Sequence, residues 1–463
     1  MADSTGIKLV DGGLVECGAV LRSLPGKREV YDAVFGGRRA IVKVFLDPRR
    51  ARVHFQRELD GLRAFHNAGI AAPEVLYAGE DEQSRPVIVL ARIGEAETLS
   101  DVWRVAAEAG RQRLMGRMME LLARHHLAGI YQTDLHLNNF LVAEGLIYSL
   151  DGDGVLAQEG ALDERRSLQN LALYCSQLDP DRDAFSLEAS AQYARLRSWP
   201  EAPVRERLLP LIDAARMYRW RKFRSKIYRN CTAVERSRAA GQACYAVRSY
   251  GDDLKRLLRD LDASCPVDPS ERLKDGNTAT VWRTGLGDRG LVVKRYNVKD
   301  RWHGVSRVLR ESRASISWRN AHMLQMFGID TPAPVAYCMR RENPLRPIGY
   351  FLAEEVLGTN LRDWVAQHRD QADEIRRLAT MVAGLLARLR RLRISHGDLK
   401  ATNFILSDGR LFVVDLDAMR LHRFGMTFEY AWRKDMARFE ANWRDLPQVS
   451  QIMREAIGTA AGE

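Results

Sequence analysis

Residues 134–153 read DLHLNNFLVAEGLIYSLDGD, and residues 398–417 read DLKATNFILSDGRLFVVDLD. The two stretches align without a gap at an offset of 264 residues. Asp134/Asp398, Leu135/Leu399, Asn139/Asn403, Phe140/Phe404, Gly145/Gly409, Asp151/Asp415 and Asp153/Asp417 are identical. Most of these matches fall on polar or special-backbone residues rather than on generic core positions. A repeat of this kind is the first organising feature to extract from a chain.

The repeat extends upstream. GIAAPEVLYAG from Gly69 is echoed by GIDTPAPVAYC from Gly328. Further back, RRAIVKVF holds Lys43 and RGLVVKRY holds Lys294. Short apolar alternation predicts a β-strand around each lysine. Leu114, Met118, Leu121, Leu122 and His125 share one helical face, as do Leu378, Met381, Val382, Leu385, Leu386 and Leu389, so a core-facing helix precedes each Asp loop. Each half therefore runs lysine strand, helix, turn, strands, helix, Asp–Asn loop, and strand ending in Asp.

The bulk composition suits two folded domains. The chain has 463 residues, 46% hydrophobic and 28% charged, which argues against disorder. Cys265-Pro-Val-Asp-Pro interrupts any helix. The expected boundary is thus 264/265, giving domains 1–264 and 265–463, with a mainly helical stretch over 185–262. A net charge of +11 calls for an anionic partner. No run of about 18 apolar residues is present, so any membrane contact is expected to be peripheral. The N-terminus lacks a basic-then-apolar signal pattern. The six cysteines form no C-x-x-C pair, and all are expected to be reduced, as in the cytoplasm.

Phosphoryl transfer asks a protein for a cation on the phosphates, oxygen ligands for a hard metal ion, and a carboxylate facing the attacking hydroxyl. An Asp, an Asn five residues later and an Asp closing the next strand supply the last two. The loop His396-Gly397-Asp398-Leu399-Lys400-Ala401-Thr402-Asn403 plainly resembles the protein-kinase-like superfamily, whose catalytic loop reads H-x-D-L-x-x-x-N. That resemblance implies an α+β fold of two tandem kinase-like domains, each with a small β-rich N-lobe and a mainly helical C-lobe. It implies ATP and Mg²⁺ as cofactors. By the same resemblance Asp398 is the catalytic carboxylate, Lys400 neutralises the transferring phosphate, and Asn403 and Asp415 bind metal, with Asp417 supporting a second ion. Lys294 pairs the nucleotide phosphates, with Glu311 as its substitute for the usual helix glutamate. In the first half the corresponding set is Asp134, Asn139 and Asp151, with Lys43 and Glu58 as the lysine–glutamate pair. Gln132 stands where the loop histidine should be, and His136 where Lys400 is. Both glycine-rich loops are glycine-poor.

No D-F-G, A-P-E or long activation segment follows Asp415. The succession from Lys294 through HGDLKATNF and VVDLDAMR to the WRKDMARF helix looks like the lipopolysaccharide kinase family, which phosphorylates inner-core heptose or Kdo. The resemblance implies a lipopolysaccharide core oligosaccharide or lipid-linked precursor as acceptor, met at the cytoplasmic face of the inner membrane. A soluble polyol or aminoglycoside kinase and a pseudokinase scaffold are the competing readings. RMYRWRKFRSKIYR (216–229) fits an anionic leaflet or a solvated helix face with its aromatics turned inward. Single-stranded nucleic acid also suits basic residues among aromatics. The phosphate-directed motifs already account for the anion preference, so no nucleic-acid partner is expected.

Overall fold

The computed structural model describes residues 5–239, 241–276, 278–297, 311–340 and 348–462. The chain divides into two compact units, Met1–Arg216 and Met217–Glu463.

In the first unit, six antiparallel strands run in the order Thr5–Lys8, Leu14–Leu24, Arg28–Phe35, Arg38–Phe45, Pro86–Ala91, Val75–Glu80. The alternation read in RRAIVKVF is realised. Ala40, Val42 and Val44 are buried in the sheet core, so Ile41 and Lys43 turn to the opposite face. Lys43 lies between Val30 and Ile88 in register, in the middle of the sheet. Across that face packs the helix Ala51–Asn67, and the helices Glu108–Leu127, Glu164–Cys175 and Asp183–Leu196 build the second layer.

The second unit repeats the plan with a seven-stranded sheet. Its order is Val234–Ala239, Gln242–Val247, Pro334–Arg340, Ile348–Glu354, Arg289–Tyr296, Ala279–Leu286, Lys274–Gly276. Leu291 and Val293 point into the core and Lys294 points away from it, between Val281 and Phe351. The helices Arg313–Met326, Ala372–Arg391, Gly425–Ala441 and Pro447–Gly462 complete the unit. Leu378, Val382, Leu385, Leu386 and Leu389 are buried as the stripe required, and Met381 packs at its margin.

Two expectations are corrected here. The boundary read at 264/265 falls inside the second unit. Leu254, Leu258 and Leu261 share a core with Trp282, Leu291 and Val335, which ties residues before 265 to that sheet. Within 185–262 the helices are interrupted by a hairpin of Val234–Ala239 and Gln242–Val247 about Gly241, at φ +74°. A positive φ there favours glycine and reverses the chain. Finally, Cys244 and Cys338 are direct cross-strand partners with Cα atoms 4.1 Å apart, and they are joined as a disulfide. Cys17, Cys175, Cys231 and Cys265 are free. Thiol titration of the denatured, unreduced protein is therefore expected to find four reactive cysteines, rising to six after reduction. Six before reduction would refute the bridge.

Candidate active sites

In the second unit the strand Ile394–Ser395 feeds the loop that carries Asp398. Gly397 sits at φ +80°, where a Cβ would come within 2.8 Å of the Ala418 carbonyl oxygen, so glycine is required. The loop is held from behind by Asp435, which is almost wholly buried. Asp435 accepts the backbone N–H of His396 at 2.7 Å and of Gly397 at 3.0 Å. Buried His396 donates through Nε2 to the Val414 carbonyl at 3.0 Å. Asn403 Nδ2 donates to the Asp398 carbonyl at 2.8 Å.

Asp398 is flanked by two cations. Arg438 Nη1 donates to its Oδ1 at 2.6 Å, and Lys400 Nζ lies 3.1 Å from its Oδ2. Asp415 adopts the left-handed conformation, at φ 61°. Such a backbone is uncommon outside glycine and clusters at functional sites. Lys294 forms an ion pair with Asp415 and a second with Asp417 at 3.0 Å. Burial works against the charge on Lys294, but Tyr296 and the carboxylates of Asp415 and Asp417 outweigh it and raise its pKa. Burial likewise opposes ionisation of Asp415, and Lys294 reverses the balance, holding that carboxyl below its usual value.

Glu311 is not the partner of Lys294. Its carboxylate is taken by Ser315 Oγ at 2.9 Å, Tyr228 at 3.3 Å and Arg319. Ser317, which holds the same offset from Gly328 that Glu58 holds from Gly69, bonds Tyr296 at 2.8 Å. Among the described residues Lys294 has aspartates and no glutamate. Asp417 is also bridged by Arg313 at 2.8 Å.

The first unit solves the same problem with different residues. Lys43 pairs with Glu58, which is fully buried on the helix Ala51–Asn67. Burial of Glu58 opposes its charge, but Lys43 and Arg28 prevail and lower its pKa. Arg28 lies 3.7 Å from Glu58 and 3.8 Å from Asp151. Burial, with Glu58 nearby, raises the pKa of Asp151. Among the described residues Asp151 Oδ1 is buried without a hydrogen-bond partner, with Arg28 as its charged neighbour at 3.8 Å, and the residue is left-handed at φ 62°. A buried carboxylate oxygen in that state suits a cation. Asn139 Nδ2 donates to the Asp134 carbonyl at 2.9 Å, as Asn403 does in its own loop.

Gln132 takes over from the histidine. Its Nε2 donates to the Leu150 carbonyl at 3.3 Å, the counterpart of the His396–Val414 bond. Asn170 takes over from Asp435, donating to the Gln132 carbonyl at 2.6 Å. His126 in turn bonds Asn170 Oδ1 at 3.1 Å and Tyr193 at 2.6 Å. Asp134 differs from Asp398, since among the described residues no cation forms an ion pair with it. Asp435, Arg438, Arg28 and Asn170 were not singled out from sequence, although WRKDMARF displayed an acid and an arginine one turn apart in an apolar helix.

The buried histidines give the first unit a pH dependence. Burial lowers His125 to about 3 and His126 to about 4. Both values lie below the ordinary 6.5, so unfolding takes up protons in the window from about 6.5 down to those values. Stability is complete above about pH 6.5 and falls on acidification, by roughly 1.4 kcal/mol per pH unit for each histidine. Urea midpoints measured between pH 7 and 5 should decline for the first unit, and a flat profile would refute this.

Each site opens on a cleft within its own unit. The first, of about 300 Å³, is lined by Val30, Ile41, Leu90, Leu141, Lys43 and Asp151. The second, of about 460 Å³, is lined by Val281, Val292, Phe351, Ile405, Lys294 and Asp415. Apolar walls with a lysine and a carboxylate at one end suit a flat base carrying phosphates.

A lysine-bearing antiparallel sheet over an Asp–Asn loop, with the next hairpin closing on a left-handed Asp, defines the kinase-like fold, and a kinase is a phosphotransferase. The family model for the lipopolysaccharide kinase (Kdo/WaaP) family matches residues 39–151 and 268–452, more than half of the chain. The chain belongs to that family, and the matched segments fall one in each unit. Among solved structures it is similar to WaaP in complex with acyl carrier protein, at 21% identity and a TM-score of 0.34, covering 43% of this chain and 87% of that one. It is also similar to vaccinia related kinase 3, at 13% identity and a TM-score of 0.26, covering 34% and 53%. No curated protein matches the chain.

Proposed function

We propose that this protein transfers phosphate from ATP to a heptose or Kdo hydroxyl of the lipopolysaccharide inner core, with the reaction carried by the second of two tandem kinase-like domains. The observation that carries this is Asp398 held between Arg438 at 2.6 Å and Lys400 at 3.1 Å on a loop braced by Asp435. Asp398 orients the acceptor hydroxyl and takes its proton. Lys400 neutralises charge on the phosphoryl group in flight, which is the main work in this chemistry. Lys294 binds the nucleotide phosphates, moving from the carboxylates it now bridges.

Among the described residues no three His, Cys, Asp or Glu side chains cluster in a metal-holding arrangement. The amide and carboxylate oxygens of Asn403 and Asp415, and of Asn139 and Asp151, are nonetheless hard donors suited to Mg²⁺ alongside phosphate oxygens. When bound, the ion would neutralise phosphate charge.

The first domain has its Lys43–Glu58 pair assembled, but among the described residues no cation forms an ion pair with Asp134. This favours nucleotide binding with weaker catalysis there. Arg221, Lys222, Arg224, Lys226 and Arg229 are exposed, while Trp220 and Ile227 are buried. Trp220 thus faces inward, and the cations from Arg221 onward face outward, while Arg216 at the start of this stretch is buried against Asp183. That face fits an anionic leaflet, each cation adding about 1 kcal/mol. No helix among the described residues is long and apolar enough to cross a membrane.

The test is core phosphate measured by mass spectrometry in strains carrying Asp398→Ala or Asp134→Ala. Loss of a core phosphate with Asp398→Ala is expected. Unchanged phosphate in both variants overturns the reading.

A further inference from the structure

A second cleft in the second unit, of about 940 Å³, is lined by Ser395, Gly397, Arg420, Arg423, Tyr430 and Lys434, among others. Its position relative to the catalytic loop follows from two elements. Arg420 is the register partner of Ser395, three residues before Asp398. On the helix Gly425–Ala441, Tyr430, Lys434 and Arg438 follow one another at four-residue steps and share a face. Arg438 bonds Asp398, while Lys434 and Tyr430 line the cleft. The cleft therefore begins about one helical turn, ~6 Å, from the catalytic carboxylate.

Its charge is one-sided. The two acids that line it are engaged: Asp417 by Lys294 and Arg313, and Asp435 by the loop N–H groups. Arg319 is neutralised by Glu311. Arg420, Arg423 and Lys434 form no ion pair with a carboxylate among the described residues. Arg423 and Lys434 instead lie over the rings of Phe424 and Tyr430, at 5.4 and 4.2 Å. Three cations in a concavity with no carboxylate paired to them among the described residues focus a positive potential on whatever enters it. A phosphate or carboxylate answers that arrangement with charge-assisted hydrogen bonds.

We infer that this cleft binds an anionic group, a phosphate or a carboxylate, already carried by the acceptor, and thereby selects the hydroxyl presented to Asp398. The inference rests on the second unit being the transferase. Acceptors would then be anionic saccharides whose charged substituent lies about one helical turn's length, ~6 Å or more, from the reacting hydroxyl.

The experiment uses the full chain carrying Arg420→Ala and Lys434→Ala together. Both side chains are exposed, so the fold is retained. With core oligosaccharide as acceptor, the acceptor KM is expected to rise about 10–100-fold while kcat and the ATP KM hold. Wild type should lose the same factor on acceptor that has been enzymatically dephosphorylated or carboxyl-reduced. The double variant should lose nothing more on that acceptor. Which of the two treatments produces the loss identifies the group. Calorimetric titration of the same oligosaccharide provides a readout independent of turnover. Equal affinity of variant and wild type overturns the inference, even if no phosphate is transferred. Transfer that is indifferent to acceptor charge overturns it and leaves the transferase reading standing.

Discussion

Asp398→Asn is expected to lower kcat by about 10²–10⁴-fold while the ATP KM stays nearly unchanged. The two side chains have almost the same size. Asn403 holds the backbone carbonyl of Asp398 at 2.8 Å, and Asp435 holds the preceding N–H groups, so the loop does not depend on the carboxylate for its shape. What the amide cannot do is accept the acceptor's proton or balance Lys400 and Arg438. Arg438 loses an ionic partner, but it is about half exposed, and such pairs contribute little to stability. The loss should therefore appear in kcat, the signature of an interaction made in the transition state. ADP release under saturating ATP measures it. Asp134→Asn should leave most turnover in place. If it abolishes turnover and Asp398→Asn does not, the catalytic assignment moves to the first unit.

The repeat made both loops legible because backbone geometry and metal-type oxygens tolerate few substitutes. Asp151 and Asp415 sit in the same left-handed conformation, and Asn139 and Asn403 make the same bond to the same carbonyl. Lys43 and Glu58 were legible because a strand and the helix after it are near in sequence. The partner of Lys294 was not, because a charge can be balanced from any direction. Asp415 and Asp417 supply from far along the chain what a helix glutamate supplies in the first unit. Gln132 stands where the loop histidine is expected. In the fold it keeps the one bond that matters structurally, an N–H to the carbonyl before the left-handed Asp. The same holds for Asn170 and Asp435, whose shared role is to brace a loop backbone. The hairpin at 234–247 was hidden by its short strands, and its place in the sheet is fixed by pairing with Pro334–Arg340, which no local pattern announces.

Gly61→Ala is expected to destabilise the first unit by about 3 kcal/mol or more, although alanine in an ordinary helix interior is better than glycine by up to ~1 kcal/mol. Gly61 faces the turn that follows Asp151. A Cβ there would lie 2.2 Å from the Gly152 carbonyl oxygen and 2.5 Å from its Cα, and a Cβ on Gly152 would lie 2.2 Å from the Glu58 carbonyl oxygen. Both obstacles are backbone, so no side chain can swing aside. The helix must move outward, carrying Glu58 one turn away. The Lys43–Glu58 pair and the Asp153 N–H bond to Glu58, at 3.3 Å, move with it. Breaking a buried pair leaves an uncompensated charge, which is the larger cost. The second unit has no such vulnerability. Asn320 occupies the matching position, and its Nδ2 spans the gap to the carbonyls of Leu416 and Met419 at 2.9 Å each. Glycine is thus used where the helix carries the lysine's partner and must come close, and asparagine where the partner lies on the turn itself. Gly61→Ala should therefore lower the urea midpoint of the first unit and weaken nucleotide binding there, while ATP turnover by the second unit persists. A raised midpoint would mean that the helix and turn do not approach closely.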